Sequence, residues 1–539
     1  MKYLKRCLSV LCLIVFIACT SCTKKEAPYG TRIEEDLTTL NKIEDNYRNW
    51  YEIFVGSFYD SNGDGKGDLK GVTMKLDYIN ELGFNGIWLM PINTSPSYHK
   101  YDVKDYYQID SSYGTMADLE ELIAECHKRD IKIILDLVLN HSSINHPMFN
   151  KSATAHQKYL MGLPLTSEED QIKDYYSFYD GATAPSGYQK VTGRNFYYEA
   201  NFSSDMPEFN CDNLAVREEF KSIIDFYMDK GVDGFRLDAV KYYYLNSQTK
   251  NIELLNQISK WVKAKNPNGY VVGECWETNS TVISNYYTSG IDSFFNFEGS
   301  VATPSSYLTN CLNLEGKMLN RYYDGLLSNI ESAGDYIPAP FLDNHDMPRF
   351  TSQGNLANSK FQFALLQMMN GSTFTYYGDE VGLVGTNAGT APDQNVRIPI
   401  LWGDEDEKGD CNAPSGTTKK EYPYPTVKEQ MEDENSIYHY YKKVMLIRNQ
   451  NPEIARGEVS LLKQDRDNKI LVIKKTYNGS EIGIVFNFSP TEDLTIDFSE
   501  FNFSSVVGQI VITGEEEKYV GMIQDKTIKM PPYSIAILK

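Results

Sequence analysis

Three carboxylates stand just past short apolar runs in three separate motifs. They are Asp238 in GFRLDAVKY (Gly234–Tyr242), Glu274 in VGECWE (Val272–Glu277) and Asp346 in FLDNHD (Phe341–Asp346). Acids at the C-terminal ends of successive strands of a parallel barrel converge on one face, where barrel active sites are built. Two such carboxyls suffice to hydrolyse a glycosidic bond: one attacks or acts as base, the other protonates the leaving oxygen. Any one of the three alone would equally suit a solvated loop. Three in order, each beside its own Arg, Trp or Asn-His, argue for one shared site.

A second constellation is DSNGDGKGD (Asp60–Asp68). Its Asp60, Asn62, Asp64 and Asp68 side chains alternate with glycine and could wrap one hard cation, with the Lys66 carbonyl as a further oxygen ligand. The spacing imitates an EF-hand, but the twelfth position is Gly71 and no helix precedes it. Ca2+ on a barrel loop is the expectation, a metal-free Asx-rich turn the alternative. Beyond Cys22 the cysteines are Cys126, Cys211, Cys275, Cys311 and Cys411. Their odd number and unpaired spacing argue against a disulfide framework, and no Cys/His cluster has zinc spacing.

The elements that must position these residues can be read from apolar runs. Strand candidates are Tyr51–Phe58, Gly86–Met90, Ile131–Leu139, Gly234–Leu237, Tyr270–Gly273, Ile291–Phe297, Ile337–Leu342 and Ser372–Tyr377. Helical periodicity marks Lys70–Leu82, Met116–Arg129, Val216–Lys230 and Asn251–Lys265. Strands alternating with helices in this way predict a (β/α)8 TIM barrel of the α/β class. A Tyr-, Ser- and Gly-rich stretch between the third strand and the helix near Leu214 is too long for a bare loop, so it predicts a small inserted domain overhanging the active face. After about Asn451 the pattern changes to short alternating runs (Ile470–Thr476, Glu481–Phe488, Val506–Thr513, Ser534–Leu538), which predict a C-terminal all-β sandwich domain.

The chain of 539 residues is long enough for several domains. It begins with Lys2, Lys5 and Arg6, then an apolar run from Leu8 to Ala18, then small residues and Cys22. That is a secretory signal pattern and too short for a spanning helix. Ala18–Cys22 resembles a bacterial lipobox, with Cys22 as the lipidated residue and Cys19 as its competitor; plain secretion with cleavage near Cys22 is the alternative. The polar segment 23–46 reads as a tether. Net charge is −21, and loss of the signal removes three basic residues and no acid. Such acidity argues against nucleic acid and anionic membrane surfaces as partners. The 39 tyrosines would suit sugar stacking or an ordinary core and decide nothing by themselves.

Taken together, the motifs resemble the α-amylase family of glycoside hydrolases, from about Trp50 to Leu538. DLVLNH (Asp136–His141), GFRLDAVK, GECW and FLDNHD look like its four ordered signatures, and MPEFN (Met206–Asn210) like an additional one. YYGDE (Tyr376–Glu380) and RIPILW (Arg397–Trp402) resemble the last-strand region, and MPPYSIAIL (Met530–Leu538) the closing strand. The resemblance implies Asp238 as nucleophile, Glu274 as general acid/base under Trp276 and a closed cleft, and Asp346 as the acid that binds and distorts the sugar. It implies that Arg236 holds Asp238 ionised, that His141 and His345 bond the same sugar, that Tyr101 stacks on it, and that Asp102 pairs with Arg397. Arg236, Lys241, Trp276 and Arg397 join the implied substrate-binding set. Tyr242 stands where many members have His, and Glu208 where Asp is usual, which touches a second, interdomain calcium but no catalytic acid.

The resulting expectation is a retaining, extracellular α-amylase acting internally on α-1,4-linked starch or maltodextrin. It would be a monomer, with no nucleic-acid partner and no membrane contact except the lipid anchor. An α-glucosidase, cyclomaltodextrinase or glucosyl-transferring relative is the alternative, and a non-catalytic glycan-binding relative the remote one. The expected organisation is signal peptide 1–22, tether 23–46, barrel 47–141 and 211–451, inserted domain 142–210 and β domain 452–539.

Overall fold

The computed structural model describes residues 45–539 except 305, 310–315, 335, 405–408, 468 and 513–522. The expected signal peptide, the lipidated cysteine and all of the tether before residue 45 lie outside the described residues. Among the described residues, no helix is long and apolar enough to cross a membrane.

Eight parallel strands make the barrel: β1 (Asn49–Ile53), β2 (Gly86–Leu89), β3 (Lys132–Leu137), β4 (Gly234–Leu237), β5 (Tyr270–Gly273), β6 (Ser293–Asn296), β7 (Ala339–Pro340) and β8 (Thr373–Tyr376). They pair in the order β7-β6-β5-β4-β3-β2-β1-β8. A parallel bridge from Phe341 to Phe374 closes the ring. All eight predicted strands are there, several shorter than the sequence pattern. β7 keeps two residues because Pro338 and Pro340 have no N–H to give to a ladder. β1 stops at Ile53, and Val55–Ser57 turns as a 3-10 helix.

Trp50, Trp88, Ile134, Tyr270, Phe295 and Phe374 fill the barrel interior. Trp50 stacks between Tyr270, at 5.1 Å, and Phe374, at 6.0 Å. Two residues further along the same strand faces, buried Glu52, Asp136 and Arg236 form a polar layer above this aromatic plug. The outer helices start on side-chain caps: a Thr115–Asp118 capping box opens Met116–Lys128, Asn213 caps Leu214–Asp229, and Ser247 caps Gln248–Lys265. The predicted helix over 70–82 is divided into Leu69–Met74 and Leu76–Glu81. It breaks at Lys75, whose ammonium lies over the Tyr59 and Trp402 rings and pairs with Asp404 at 3.1 Å.

Between β3 and β4 lie helices Pro147–Leu160 and Ser167–Ile172 and a three-stranded antiparallel sheet, with Tyr197–Glu199 between Phe178–Tyr179 and Tyr188–Lys190. The C-terminal region has two antiparallel sheets. The five-stranded one contains β9 (Glu458–Gln464), β10 (Ile470–Tyr477), β11 (Ser480–Asn487), Ser534–Leu538 and Val506–Ile510; the three-stranded one contains Leu494–Asp497, Thr527–Met530 and Ile523–Gln524. Val472, Val485, Ile496, Ile528 and Ala536 form one apolar cluster between them.

Candidate active site

β4 ends at Leu237 and delivers Asp238; β5 ends at Gly273 and delivers Glu274; the loop after β7 delivers Asp346. All three line one cavity of about 400 Å³, together with Tyr101, His141, Lys241, Trp276 and Arg397. Arg236 and His345 are fully buried and lie beneath the cavity floor.

Arg236 is the hub. Its Nη1 donates to Asp136 Oδ1 at 2.9 Å and to Asp238 Oδ1 at 2.6 Å. Its Nη2 lies 2.9 Å from Glu274 Oε1, a contact of charge without an aligned hydrogen bond. Strand register explains the hub, since Arg236 sits directly opposite Asp136 on β3 and Val272 on β5. Glu274 is further held by Ala239 N, which donates to Oε2 at 3.0 Å, and by Trp276 Nε1, which donates to Oε1 at 2.9 Å. Burial pushes the Asp238 carboxyl up to about 8; Arg236 opposes this, while the charges of Glu274 and Asp136 add to it. Three carboxyls around one guanidinium give this cluster room for a shared proton.

On the opposite wall, Arg397 Nη2 donates to Asp346 Oδ1 at 2.9 Å and His345 Nε2 lies 3.1 Å from Asp346 Oδ2. Burial opposes the Asp346 charge, but His345 and Arg397 outweigh it and hold the carboxyl well below its usual range. His345 in turn is pinned through Nδ1 by Glu52, and Tyr101 stacks on its ring at 5.5 Å. Burial disfavours its charge; Asp346 and Glu52 overcome that and raise the imidazole to about 9.

Three expectations change here. Arg397 pairs with Asp346 and not with Asp102, because Asp102 turns away to accept from Ser95 and Ser97. His345 does not face the cavity: both its ring nitrogens are taken by Glu52, Tyr101 and Asp346, so it positions Asp346 from below. Trp276 also acts differently from a desolvating cover. It is 44% exposed, leans on Phe297 at 4.3 Å and gives Glu274 a hydrogen bond.

His141 lines the cavity with Nε2 buried and without a hydrogen-bond partner, and burial pushes its imidazole down to about 4. A neutral ring with a free nitrogen is ready for a hydroxyl. Lys241 Nζ donates to Trp276 O at 2.8 Å and to Glu277 Oε2 at 3.2 Å, bracing the loop that bears Glu274. Among the lining residues that sequence reasoning missed are His99, Tyr242 and Phe202. His99 stands two residues before Tyr101 and went unread; Tyr242 was noted only as a departure; Phe202, from the inserted segment, had no signal. Phe202 contacts both His141, at 5.4 Å, and Tyr242, at 4.6 Å. Glu208 accepts from Asn201 N at 2.9 Å, and burial pushes its carboxyl up to about 7.

The Asp60–Asp68 loop folds as a ladder of Asx turns. Asp60 accepts from the amides of Asn62, Gly63 and Gly65, Asn62 from Asp64, and Asp64 from Lys66. Gly63 and Gly65 make the wrap possible at φ +82° and +85°. Asp68 accepts from Ser61 and Asn62 and caps the next helix through Gly71 N. The oxygen set suits a hard cation; Asp60 Oδ1 and Asp68 Oδ2 are filled by two and three donors, while Asp60 Oδ2, Asp68 Oδ1 and the Asp64 carboxylate keep lone pairs. Among the described residues, no group of three or more His, Cys, Asp or Glu side chains is gathered as a metal centre.

The sequence profile described as "Alpha amylase, catalytic domain" matches residues 52–457. The chain is 36% identical to alpha-amylase 3 of Dictyoglomus thermophilum over 511 residues, spanning 92% of this chain and 93% of that protein. It is 29% identical to an oligo-1,6-glucosidase of Parageobacillus thermoglucosidasius, spanning 81% and 89%. Among solved structures it superposes on Eubacterium rectale Amy13B with a TM-score of 0.86 and 40% identity, over 93% of this chain and 97% of that one. A closed barrel with its acids gathered at the strand ends, and likeness over nearly the full length, lead to one conclusion: the chain belongs to the α-amylase family of glycoside hydrolases.

Proposed function

We propose that this enzyme is a retaining hydrolase that cleaves α-1,4-glucosidic bonds within starch and maltodextrin chains. The observation that carries the reading is Arg236, whose one guanidinium touches both Asp238 and Glu274. That sharing supports the short carboxyl spacing of a retaining pair, roughly 5–5.5 Å, over the wider spacing that leaves room for an inverting water. Asp238 attacks the anomeric carbon while Glu274 gives its proton to the leaving oxygen. A glycosyl ester forms on Asp238, and water that loses a proton to Glu274 then releases the sugar. Attack requires the proton shared in this cluster to rest on Glu274, which leaves the charge on Asp238, the carboxyl with the shortest contact to Arg236 at 2.6 Å. Asp346 and His141 hold the hydroxyls of the same sugar, and Tyr101 stacks beneath it.

The α-1,4 preference is supported by Ala239 directly after the nucleophile, the residue usual in α-1,4-acting members, and by the likeness to an α-amylase. Likeness to an oligo-1,6-glucosidase favours a second reading, an exo-acting α-glucosidase. Product analysis on starch, pullulan and panose separates them. Mixed maltooligosaccharides from starch are expected. Chiefly glucose from starch, or cleavage of the α-1,6 bond of panose, would overturn the endo-α-1,4 assignment.

The same reading includes Ca2+ in the Asp60–Asp68 loop, held by the side chains of Asp60, Asn62, Asp64 and Asp68 and the Lys66 carbonyl. It also includes a monomeric, cell-surface lipoprotein anchored at Cys22, alternatively Cys19. Palmitate labelling that disappears in Cys22→Ser would support the first anchor site, and labelling lost only in Cys19→Ser the second.

A further inference from the structure

The inserted three-stranded sheet has two unlike faces. Phe178 and Tyr198 are paired in register and turn inward, where both contact Phe149. Residues directly opposite share a face, and so do residues two apart on one strand. The other face therefore carries Tyr179 opposite Tyr197, Tyr197 opposite Lys190, and Tyr188 opposite Glu199. Tyr179 is 39% exposed and its ring lies 5.8 Å from that of Tyr188. Its ring end lies against Gly181, where a Cβ would collide with the hydroxyl and the carbon bearing it. Tyr188 donates to Glu199 at 3.4 Å, and Asn201 Nδ2 donates to the same carboxylate at 3.0 Å.

We propose that the Tyr179–Tyr188–Tyr197 face is a second glucan-binding site, holding one chain of a polymer whose neighbouring segment enters the catalytic cavity. The proposal rests on the α-glucan reading above. Preordered aromatic rings offer apolar faces to the C–H surfaces of sugars, and their wet edges take hydroxyls. Lys190 and Glu199 add a donor and an acceptor on the same face. Continuity with the cavity names the occupant. The central strand ends at Glu199, and three residues on Phe202 lines the cavity beside His141. A chain on the platform therefore leads along this segment to the site of cleavage.

The test is Tyr179→Ala/Tyr197→Ala, compared with wild type on maltotriose, on amylopectin, and by mobility in gels containing amylopectin. Turnover of maltotriose should stay within about twofold, while retardation is lost and KM for amylopectin rises roughly three- to tenfold, as loss of one or two stacking contacts gives. Tyr179→Phe/Tyr197→Phe should keep the retardation. If the alanine pair loses maltotriose turnover, Tyr179→Ser and Tyr197→Thr taken singly make the same comparison. Unchanged mobility and KM would overturn the platform, as would a wild-type dimer that becomes monomeric in the double variant. If wild type ignores amylopectin yet cleaves isomaltose, the α-1,4 reading fails instead. Gels cast with dextran then decide the platform, supported by retardation lost in the double variant and refuted by equal mobility.

Discussion

Arg236 couples two side chains with opposite tasks, so their replacements should differ in kind. Asp238→Asn removes the proposed nucleophile and should lower turnover of every substrate by roughly 10³ or more, because members of a catalytic unit fail together. Glu274→Gln removes only the proton for the leaving oxygen. Starch hydrolysis should collapse in it, while activated aryl maltosides, which need little protonation, still glycosylate the enzyme in a measurable burst. Equal loss on both substrates would remove Glu274 from the acid role. His345 gives a second prediction at this scale. Its folded imidazole is raised to about 9, against about 6.5 in an unfolded chain. The stability it supplies is fully present below the unfolded value and is lost as pH rises through the folded one. The gap in melting temperature between wild type and His345→Asn should therefore be widest near pH 6 and close by about pH 10. A gap independent of pH would show that His345 acts by packing alone.

The barrel concentrates function in the residues directly after each strand. β4 and β5 are four residues each, and the acids come immediately after them. β1 is followed by the Asp60–Asp68 loop, which carries no catalytic acid and leads into the helix capped by Asp68. An ion there would stabilise the turn and take no part in bond breaking. An ion that binds only the folded chain would raise the melting temperature by mass action, and its removal would lower it. Chelation should lower the melting temperature of wild type, and Asp64→Ala should abolish most of that sensitivity. Asp64 suits the experiment because it is exposed, and its one backbone contact is with Lys66. No response to chelator in wild type would leave the Asx ladder as a self-sufficient turn.

The whole molecule is joined beneath the barrel by two buried basic side chains whose hydrogen bonds, among the described residues, go to backbone carbonyls and side-chain amides. Lys475, on β10 of the terminal domain, donates to Met368 O at 2.9 Å, to Asn370 Oδ1 at 2.6 Å and to Ile454 O at 2.5 Å. Arg448 donates to the carbonyls of Gln367, Met369 and Gly371, on the segment leading into β8. Three donors meet three acceptors at Lys475, so Lys475→Met leaves those acceptors buried and unpaired at a cost of about 1–3 kcal/mol for each that finds no other donor. Denaturant unfolding should shift by that amount while kcat at low temperature stays the same, since the junction is at the far end of the barrel from the acids. An unshifted transition would mean that the terminal domain is not coupled to the barrel through Lys475.

The eight strands were legible because each is a short apolar run filling a barrel interior, and their spacing needed nothing but burial. The acids were legible because a barrel puts strand ends on one face, so their place in sequence fixes their place in space. Partnerships between distant loops were not legible. Whether Asp102 or Asp346 meets Arg397 depends on which way two loops fold back, and the structure gives the arginine to Asp346. His345 looked like a sugar contact by type and neighbours, but the charges of Glu52 and Asp346 turn its two nitrogens to the protein. Phe202 carried no signal, because an exposed aromatic in an irregular segment has no period to betray it. Sequence determined the barrel and its three acids through local pattern and fixed topology. Tertiary structure alone decided which long-range pairs form, because those depend on where separate loops come together in space.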